Sequence, residues 1–212
     1  MTLNTIASDL HVVCALLQKY AEEENLSYEQ GLVLSSFYVS YKDTNTIIRY
    51  VQNLPELDAD QLLKDARVLY ETALTFLEVY EQNEAILLLY DPKPVCDEYL
   101  RPFELQDQES QQKSVQLWRR YTELSNRFDC MPFDAPEFAE LDKACNAAKE
   151  AYDTASAQTR QFSDRLQEER KKTASLYYFD MTCLEMLVLR LKQIASSLIS
   201  DLENLKEGDG TC

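Results

Sequence analysis

The stretch "LQEERKKTASLYYF", residues 166–179, decides which fold the chain adopts. Five consecutive charged residues, Glu168 to Lys172, interrupt a chain that otherwise spaces its apolar residues regularly. The stretch is either a connection between two helices or part of one long helix. Because it contains neither glycine nor proline, the strongest breakers of helical structure, we expect one helix to continue through it with a local unwinding.

The apolar spacing on both sides favours a continuous helix. Apolar and small residues recur at alternating steps of three and four over residues 138–166 and again over residues 177–205, which is the spacing of one helix face. The eleven residues from Leu166 to Tyr177 can be spanned by steps of four, four and three. The pattern predicts a long helix over about residues 135–206, bent at residues 167–173.

The rest of the chain also has helical spacing. A first helix is predicted over about residues 3–24, a second segment over about 28–53, and a further long helix over about 59–128. The sequence "DADQ", residues 58–61, has the pattern of a capping box at the start of that long helix. Three prolines in "DPKPVCDEYLRP", residues 91–102, are enough to kink the helix or to end it.

The sequence "DCMPFDAP", residues 129–136, is the clearest turn in the chain. Asp134 and Glu137 form a second capping-box pattern, which places the start of the next helix near residue 135. If the two long helices fold back antiparallel about this turn, facing residue numbers sum to about 266. The proline cluster then comes level with residues 167–173, so both helices bend at one level. Asp97 and Glu98 come level with residues 170–172 and are expected to compensate their charges.

Composition limits the classes of partner. The chain has 212 residues, with 37 acidic and 21 basic side chains and a formal net charge of −16. Such a chain is repelled by nucleic acid and by anionic lipid at long range. We therefore expect no nucleic-acid partner, and any basic surface has to be local.

The residues needed for catalysis or for metal binding are missing from the sequence patterns. His11 is the sole histidine, the six cysteines form no Cys-x-x-Cys pair, and three glycines cannot build a phosphate-binding loop. We therefore expect a non-enzymatic protein with no cofactor and no metal. Unpaired thiols and an N-terminus without a signal-peptide pattern predict a cytoplasmic location, with peripheral membrane contact as an extension of it.

These features together predict an all-α protein of long, antiparallel, kinked helices. In helix lengths and kinks the chain resembles the BAR-domain superfamily, over nearly its whole length and with residues 3–53 in the place of helix one. The resemblance implies a coiled-coil homodimer formed through the middles of the helices and a basic surface that binds or shapes membranes. The acidic charge of this chain departs from the basic surfaces of many BAR domains.

Two sets of candidate site residues follow from the resemblance. The membrane-binding candidates are the basic residues of the two long helices: Lys113, Arg119, Arg120, Arg127, Arg160, Arg165, Arg170, Lys171 and Lys172. A solvated helix face is the alternative interpretation of this set. The dimer-core candidates are the large apolar residues on either side of the predicted bends: Phe76, Tyr80, Leu87, Tyr90, Tyr177, Met181, Leu184, Leu187, Val188 and Leu191.

Two functions are therefore open. The first is a dimeric BAR-like scaffold that binds or shapes membranes and recruits protein partners. The second is an acidic adaptor, built as a compact multi-helix bundle, that binds proteins without contacting lipid. Both place a single helical domain at residues 1–206, followed by a short flexible tail at residues 207–212.

Overall fold

The computed structural model describes residues 2–52 and 58–209 of the chain and is all-helical over them, which confirms the predicted fold class. Seven helices occupy these ranges: α1 (Leu3–Glu23), α2 (Tyr28–Tyr41), α3 (Thr44–Gln52), α4 (Ala59–Leu87), α5 (Lys93–Asp129), α6 (Phe138–Tyr177) and α7 (Met181–Asp209). Of the predicted C-terminal tail, residues 207–209 belong to α7, and residues 210–212 lie outside the described ranges.

The contacts within the chain define two compact units. Unit 1 consists of Met1–Cys96 together with Ala174–Cys212, and unit 2 is Asp97–Thr173. Unit 2 contains most of α5 and α6, and it is inserted in the chain between α4 and α7. The expected single domain over residues 1–206 is thus composed of two units.

Unit 1 is a helical bundle with four positions, which are occupied by α1, by α2 together with α3, by α4 and by α7. α1 packs against α2 and α4, α4 packs against α7, and α2 with α3 packs back against α7. The Tyr41 hydroxyl donates to Asp9, and Lys19 donates to Gln30, so α1 and α2 are antiparallel. Arg67 of α4 pairs with Glu203 of α7, at the end of α7 remote from the α6–α7 connection. Apolar faces from all four positions meet in one buried cluster, which is how amphipathic helices satisfy their apolar stripes.

The predicted helical segment over residues 28–53 is two helices instead of one. α2 ends at Tyr41 and α3 begins at Thr44. Between them the Asp43 carboxylate accepts a hydrogen bond from the Thr46 hydroxyl at 2.6 Å. Aspartate competes for local hydrogen bonds in this way and favours helix ends over helix interiors. The predicted end of this segment, at Leu54 and Pro55, lies outside the described residues.

The proline cluster ends the long helix predicted over residues 59–128. α4 begins after Asp58, whose side chain accepts from the Asp60 amide at 3.0 Å, as predicted for a cap. Gln61 donates to Asp65, so the predicted capping box is incomplete. α4 ends at Leu87 and α5 begins at Lys93, because Pro92 cannot continue a helix.

The quoted stretch is helical up to Tyr177. α6 runs unbroken through residues 167–173, so the prediction that the helix continues through the charged run is confirmed, while the single helix predicted over about residues 135–206 is two helices. The interruption comes at residues 178–180, where the Asp180 carboxylate accepts from the Thr182 amide at 2.6 Å and caps α7. An aspartate that accepts a hydrogen bond from a first-turn amide favours the start of a new helix at that position. A run of charged residues does not by itself end a helix.

The two interruptions meet, as the antiparallel pairing predicts. Tyr90, from the α4–α5 connection, packs against Phe179, from the α6–α7 connection, with ring centroids 6.1 Å apart. Gly31 of α2 lies directly against Tyr90 and Leu176 at this place. A Cβ atom there would lie 2.8 Å from the Tyr90 hydroxyl and 3.0 Å from Leu176, so only glycine lets α2 approach this closely.

Unit 2 is an antiparallel helical hairpin. Ser163 donates to Asp107 at 2.6 Å, and the Thr159 hydroxyl donates to the Ser110 carbonyl at 3.2 Å. Facing residue numbers in these pairs sum to about 270, near the value of about 266 expected for an antiparallel hairpin. The capping box at Asp134 is a wrong prediction, since α6 begins at Phe138. Pro136 disfavours helical backbone at the residue before it, which delays the start of the helix.

Candidate interaction surfaces

The predicted dimer-core residues lie inside unit 1. Eight of the ten are buried within the chain itself: Phe76, Tyr80, Leu87, Met181, Leu184, Leu187, Val188 and Leu191. Tyr90 and Tyr177 are partly buried and pack against the same cluster, which also contains Leu10 and Leu17 of α1. A second chain cannot contact side chains that are already covered. Their predicted role in a dimer interface is therefore corrected, and they form the core of this chain, while dimerisation itself stays a prediction.

The predicted membrane-binding residues separate into two sets. The α6 basic set consists of Arg160, Arg165, Arg170, Lys171 and Lys172, and the α5 basic set of Lys113, Arg119, Arg120 and Arg127. Both sets lie in unit 2, but they differ in what they contact. The α6 set is largely used within the hairpin, whereas the α5 set is not.

Three members of the α6 basic set have partners within the hairpin: Arg170 and Arg165 contact α5, and Lys172 pairs within α6. Arg170 pairs with Glu104 at 2.8 Å. Lys172 pairs with Glu169 at 2.6 Å. The Arg165 guanidinium lies over the Phe103 ring, 5.2 Å from its centroid, within the range of a cation–π contact. The compensating carboxylates are thus Glu104 and Glu169, and not Asp97 and Glu98 as expected.

Glu169 is the buried charge of unit 2. Its carboxylate accepts from Lys172 at 2.6 Å and from the Tyr99 hydroxyl at 2.8 Å. These two hydrogen bonds, that from Lys172 foremost, lower the pKa of Glu169, and the same bond raises the pKa of Lys172. Hydrogen bonds to the charged form of an acid favour that form. The charged run in the quoted stretch therefore contributes to hairpin packing.

The α5 basic set remains exposed. All four side chains face solvent, and among the described residues none of them forms an ion pair. Lys113, Arg120 and Arg127 are spaced by seven residues, or about two helical turns, so they share one face of α5. Arg119 lies beside Arg120. This set is a positive surface of the hairpin without an ion pair in the described part of the chain.

An open groove of about 510 Å³ adjoins the basic face of α5. Leu117 contributes its apolar side chain from α5, and Ala147, Ala151 and Ala155 contribute small side chains from α6. Lys113 lies at the border and belongs to both the groove and the basic face. Glu150, Thr154 and Gln158 of α6 complete the lining. The groove therefore combines a small-residue floor with a mixed border, and the positive charge lies on the adjoining face of α5.

The apolar seam of the hairpin is only partly covered. Leu117, Tyr121, Leu124 and Phe128 of α5 are all half-buried. Trp118 is 48% exposed, although its ring packs against Tyr152 of α6 at 4.9 Å. Two helices cover less of each other than the four positions of unit 1 do, so this apolar surface is open to a further partner.

The connection between α5 and α6 carries the opposite charge. Residues 128–142, which we call the acidic turn, contain Asp129, Asp134, Glu137, Glu140 and Asp142 and no basic residue. In the described part of the chain, no salt bridge involves any of these acids. Phe133, in the middle of the turn, is 89% exposed.

Unit 1 has two further grooves. One, of about 390 Å³, lies between α3 and α7 and is lined by Ile48, Val51, Ile194 and Leu198. The other, of about 320 Å³, lies between α1 and α2, where Tyr41 donates to Asp9. Burial, with a smaller effect of Asp9, raises the pKa of Tyr41 to about 12. The first groove has both Arg190 and Asp201 in its lining, and the second has Asp9 alone, so neither lies beside a set of like charges as the hairpin groove does.

The sole histidine, His11, is exposed on α1. His11 lines a small groove with Cys14 and Glu71. Burial raises the pKa of the Cys14 thiol, so the thiol stays protonated and is a poor nucleophile. Among residues 2–52 and 58–209, no group of three or more His, Cys, Asp or Glu side chains is placed to hold a metal ion, and no helix there is long and apolar enough to cross a membrane.

Sequence reasoning missed the groove and the acidic turn as surfaces. The signals were present, since Ala147, Ala151 and Ala155 are spaced by four residues and residues 128–142 contain five acids and no base. They were overlooked because small residues and acidic turns are common on solvated surfaces. No family model, curated protein or solved structure matches the chain. Its function therefore has to be inferred from these surfaces.

Proposed function

We propose that the chain is a non-enzymatic helical scaffold that binds another protein through the α5/α6 hairpin of unit 2. The observation that carries this proposal is the half-covered apolar seam of a helix whose exposed face also carries the unpaired α5 basic set, one member of which, Lys113, lines the groove. Exposed apolar surface next to uncompensated charge is typical of a protein-binding site.

The division of the chain into two units supports the proposal. Unit 1 has a closed core of large apolar side chains, although others such as Leu89 and Tyr178 remain exposed. The hairpin has fewer buried residues and holds itself together largely through polar contacts such as Tyr99 with Glu169. A partner that covers Leu117 and Trp118 would therefore add apolar burial where the chain has left it incomplete.

The chemistry of the hairpin defines the kind of partner. The groove accepts a single protruding apolar side chain, because its floor consists of alanines. The α5 basic set beside the groove favours carboxylates next to that apolar group. The proposed partner surface is therefore acidic with one apolar anchor.

A matched pair of substitutions tests the proposal. Ala151→Trp fills the groove, whereas Ala157→Trp introduces the same side chain at an exposed position of α6 outside the groove. Proteins that co-purify with the wild type and with Ala157→Trp, but not with Ala151→Trp, would support binding at the groove. Circular dichroism of both variants checks that the helices are intact. An identical set of co-purifying proteins for all three chains, together with an identical sedimenting mass, would refute the proposal.

Direct membrane binding is a second candidate function. It is favoured by one observation, namely that Phe133 is 89% exposed in the turn that follows Arg127. An exposed aromatic side chain near arginines is a typical membrane contact. The five acids of the same turn oppose anionic lipid, which is why we place protein binding first.

A further inference from the structure

We propose that the acidic partner of the hairpin groove is the acidic turn of a second copy of this chain. This inference rests on the proposed function and names its partner. It assigns a homodimer interface to unit 2, in place of the buried residues of unit 1. Charge, apolar complementarity and register each favour this interface.

The α5 basic set and the acidic turn are complementary in charge. The α5 basic set offers four exposed cations, and the acidic turn offers five carboxylates, with no ion pair to either group among the described residues. Within one chain these charges repel their own neighbours. Between two chains each set attracts the other, which steers association and fixes its orientation.

The acidic turn and the groove are also complementary in their apolar side chains. The acidic turn has the anchor that the groove calls for, because Phe133 is 89% exposed between acidic residues. The groove has a floor of Leu117 and three alanines, which leaves room for a ring, and a polar border of Lys113, Glu150, Thr154 and Gln158. An aromatic anchor in a small-residue groove is typical of interface centres.

The register of the hairpin allows all of these contacts at once. When two hairpins lie antiparallel with Phe133 of one level with Leu117 of the other, Asp129 comes level with the neighbourhood of Arg120. By the pairing of α5 with α6, Glu137 comes level with Arg119. Arg127 then comes level with Glu123, the sole acid of α5 between residues 113 and 127.

Such an arrangement is closed by two-fold symmetry. Every contact occurs twice, because the acidic turn of each copy lies on the basic set of the other, as in other symmetric dimers. The overlap covers about 17 residues of each hairpin, or about 25 Å along the helices. The same acids that repel anionic lipid are satisfied in this dimer.

Charge reversal in the full-length chain tests the pairing. We expect the wild type to sediment at twice the chain mass of 24.6 kDa. The double substitution Arg119→Glu and Arg120→Glu, or separately Asp134→Lys and Glu137→Lys, should weaken the dimer at least about tenfold, since several exposed ion pairs become repulsive. Combining all four substitutions should restore it. Raising the salt concentration from about 0.1 M to about 1 M should also weaken the dimer, because it shortens the screening length from about 10 Å to about 3 Å.

A matched control uses the other basic set. Arg160→Glu with Lys171→Glu changes the net charge equally, at exposed α6 positions that form no ion pair in the described part of the chain, and should leave the dimer intact. A monomeric wild type, a dimer that is insensitive to Arg119→Glu and Arg120→Glu, or failure of the four-fold variant to re-associate would each overturn the inference. If the chain is monomeric but Ala151→Trp still loses a co-purifying protein, only this inference fails. If neither effect occurs, the proposed function fails as well.

Discussion

Unit 1 and unit 2 have the same helical periodicity but cover their apolar stripes to different extents. In unit 1, Phe76, Leu184 and Leu191 are 0% exposed, because each helix position has two neighbours. In unit 2, Leu105 and Trp118 remain about half exposed, because each helix has one neighbour. The comparison shows that a stripe of apolar residues predicts a buried face, while the number of surrounding helices determines how completely it is buried.

The largest expected effect comes from a matched pair of leucines. Leu184→Ala in unit 1 should lower the free energy of unfolding by about 2–5 kcal/mol, because it leaves a cavity in a closed core. Leu105→Ala in unit 2 should cost about 1 kcal/mol, since half of that side chain is already in water. Chemical denaturation followed by circular dichroism measures both. Equal losses at the two positions would show that the units do not differ in coverage.

Overpacking at Gly31 should have the next largest effect. Gly31→Val places atoms where Tyr90 and Leu176 already lie, so the free energy of unfolding should fall by about 1–3 kcal/mol. Ser36→Val, at an exposed position of the same helix, should change it by about 0.5 kcal/mol or less. Thermal unfolding of the two variants checks this. If Gly31→Val unfolds at the wild-type temperature, the close approach of α2 is wrong.

Acid should weaken unit 2 through Glu169. Because hydrogen bonds lower the folded-state pKa of Glu169, the stabilisation it provides is present above its unfolded pKa of about 4.3 and is lost as pH falls through the lower folded value. Glu169→Gln should therefore destabilise the chain at neutral pH, and the difference from the wild type should shrink below about pH 4. Denaturation curves across this range test the sign. A difference that grows on acidification would contradict it.

The smallest expected effect is on lipid. Any binding to vesicles containing anionic lipid should be weak, with each well-placed basic side chain contributing about 1 kcal/mol. It should be lost in the variant with Arg119→Glu and Arg120→Glu, and it should decrease with salt. Vesicle sedimentation measures this, with Arg160→Glu and Lys171→Glu as the control pair. If the wild type fails to bind even at low salt, the membrane candidate is excluded and protein binding by the hairpin remains.

Local sequence signals predicted the ends of helices where those ends depend on nearby residues. Pro92 ended a helix, Asp58 capped one, and the turn near residue 133 set the antiparallel register of α5 and α6. The signals failed where two local preferences competed. Asp134 does not cap α6, because Pro136 delays the start of that helix. The long helix expected to continue through residues 167–173 is interrupted at residues 178–180, where Asp180 caps α7.

The candidate site was predicted only in part. The α5 basic set was identified from its charges, but its difference from the α6 basic set was not. That difference depends on Glu104 and Glu169, which come within 2.8 Å of Arg170 and 2.6 Å of Lys172 respectively. The Arg170–Glu104 contact joins residues 66 apart in the sequence and depends on helix rotation to within a fraction of a turn, which residue spacing does not specify. The Lys172–Glu169 pair is an i,i+3 contact, which residue spacing allows.

The sequence by itself determined that the chain is helical, where the clearest turn lies and which face of each helix is apolar, because these properties follow from residue spacing and from local hydrogen bonding. Only the tertiary structure decided what each apolar face packs against. Leu184 and Val188 have the spacing of a dimer seam, yet they are buried in the core of their own chain with residues of α1 and α4. An apolar stripe gains the same free energy against any apolar surface, so its partner is fixed by the packing of the whole chain.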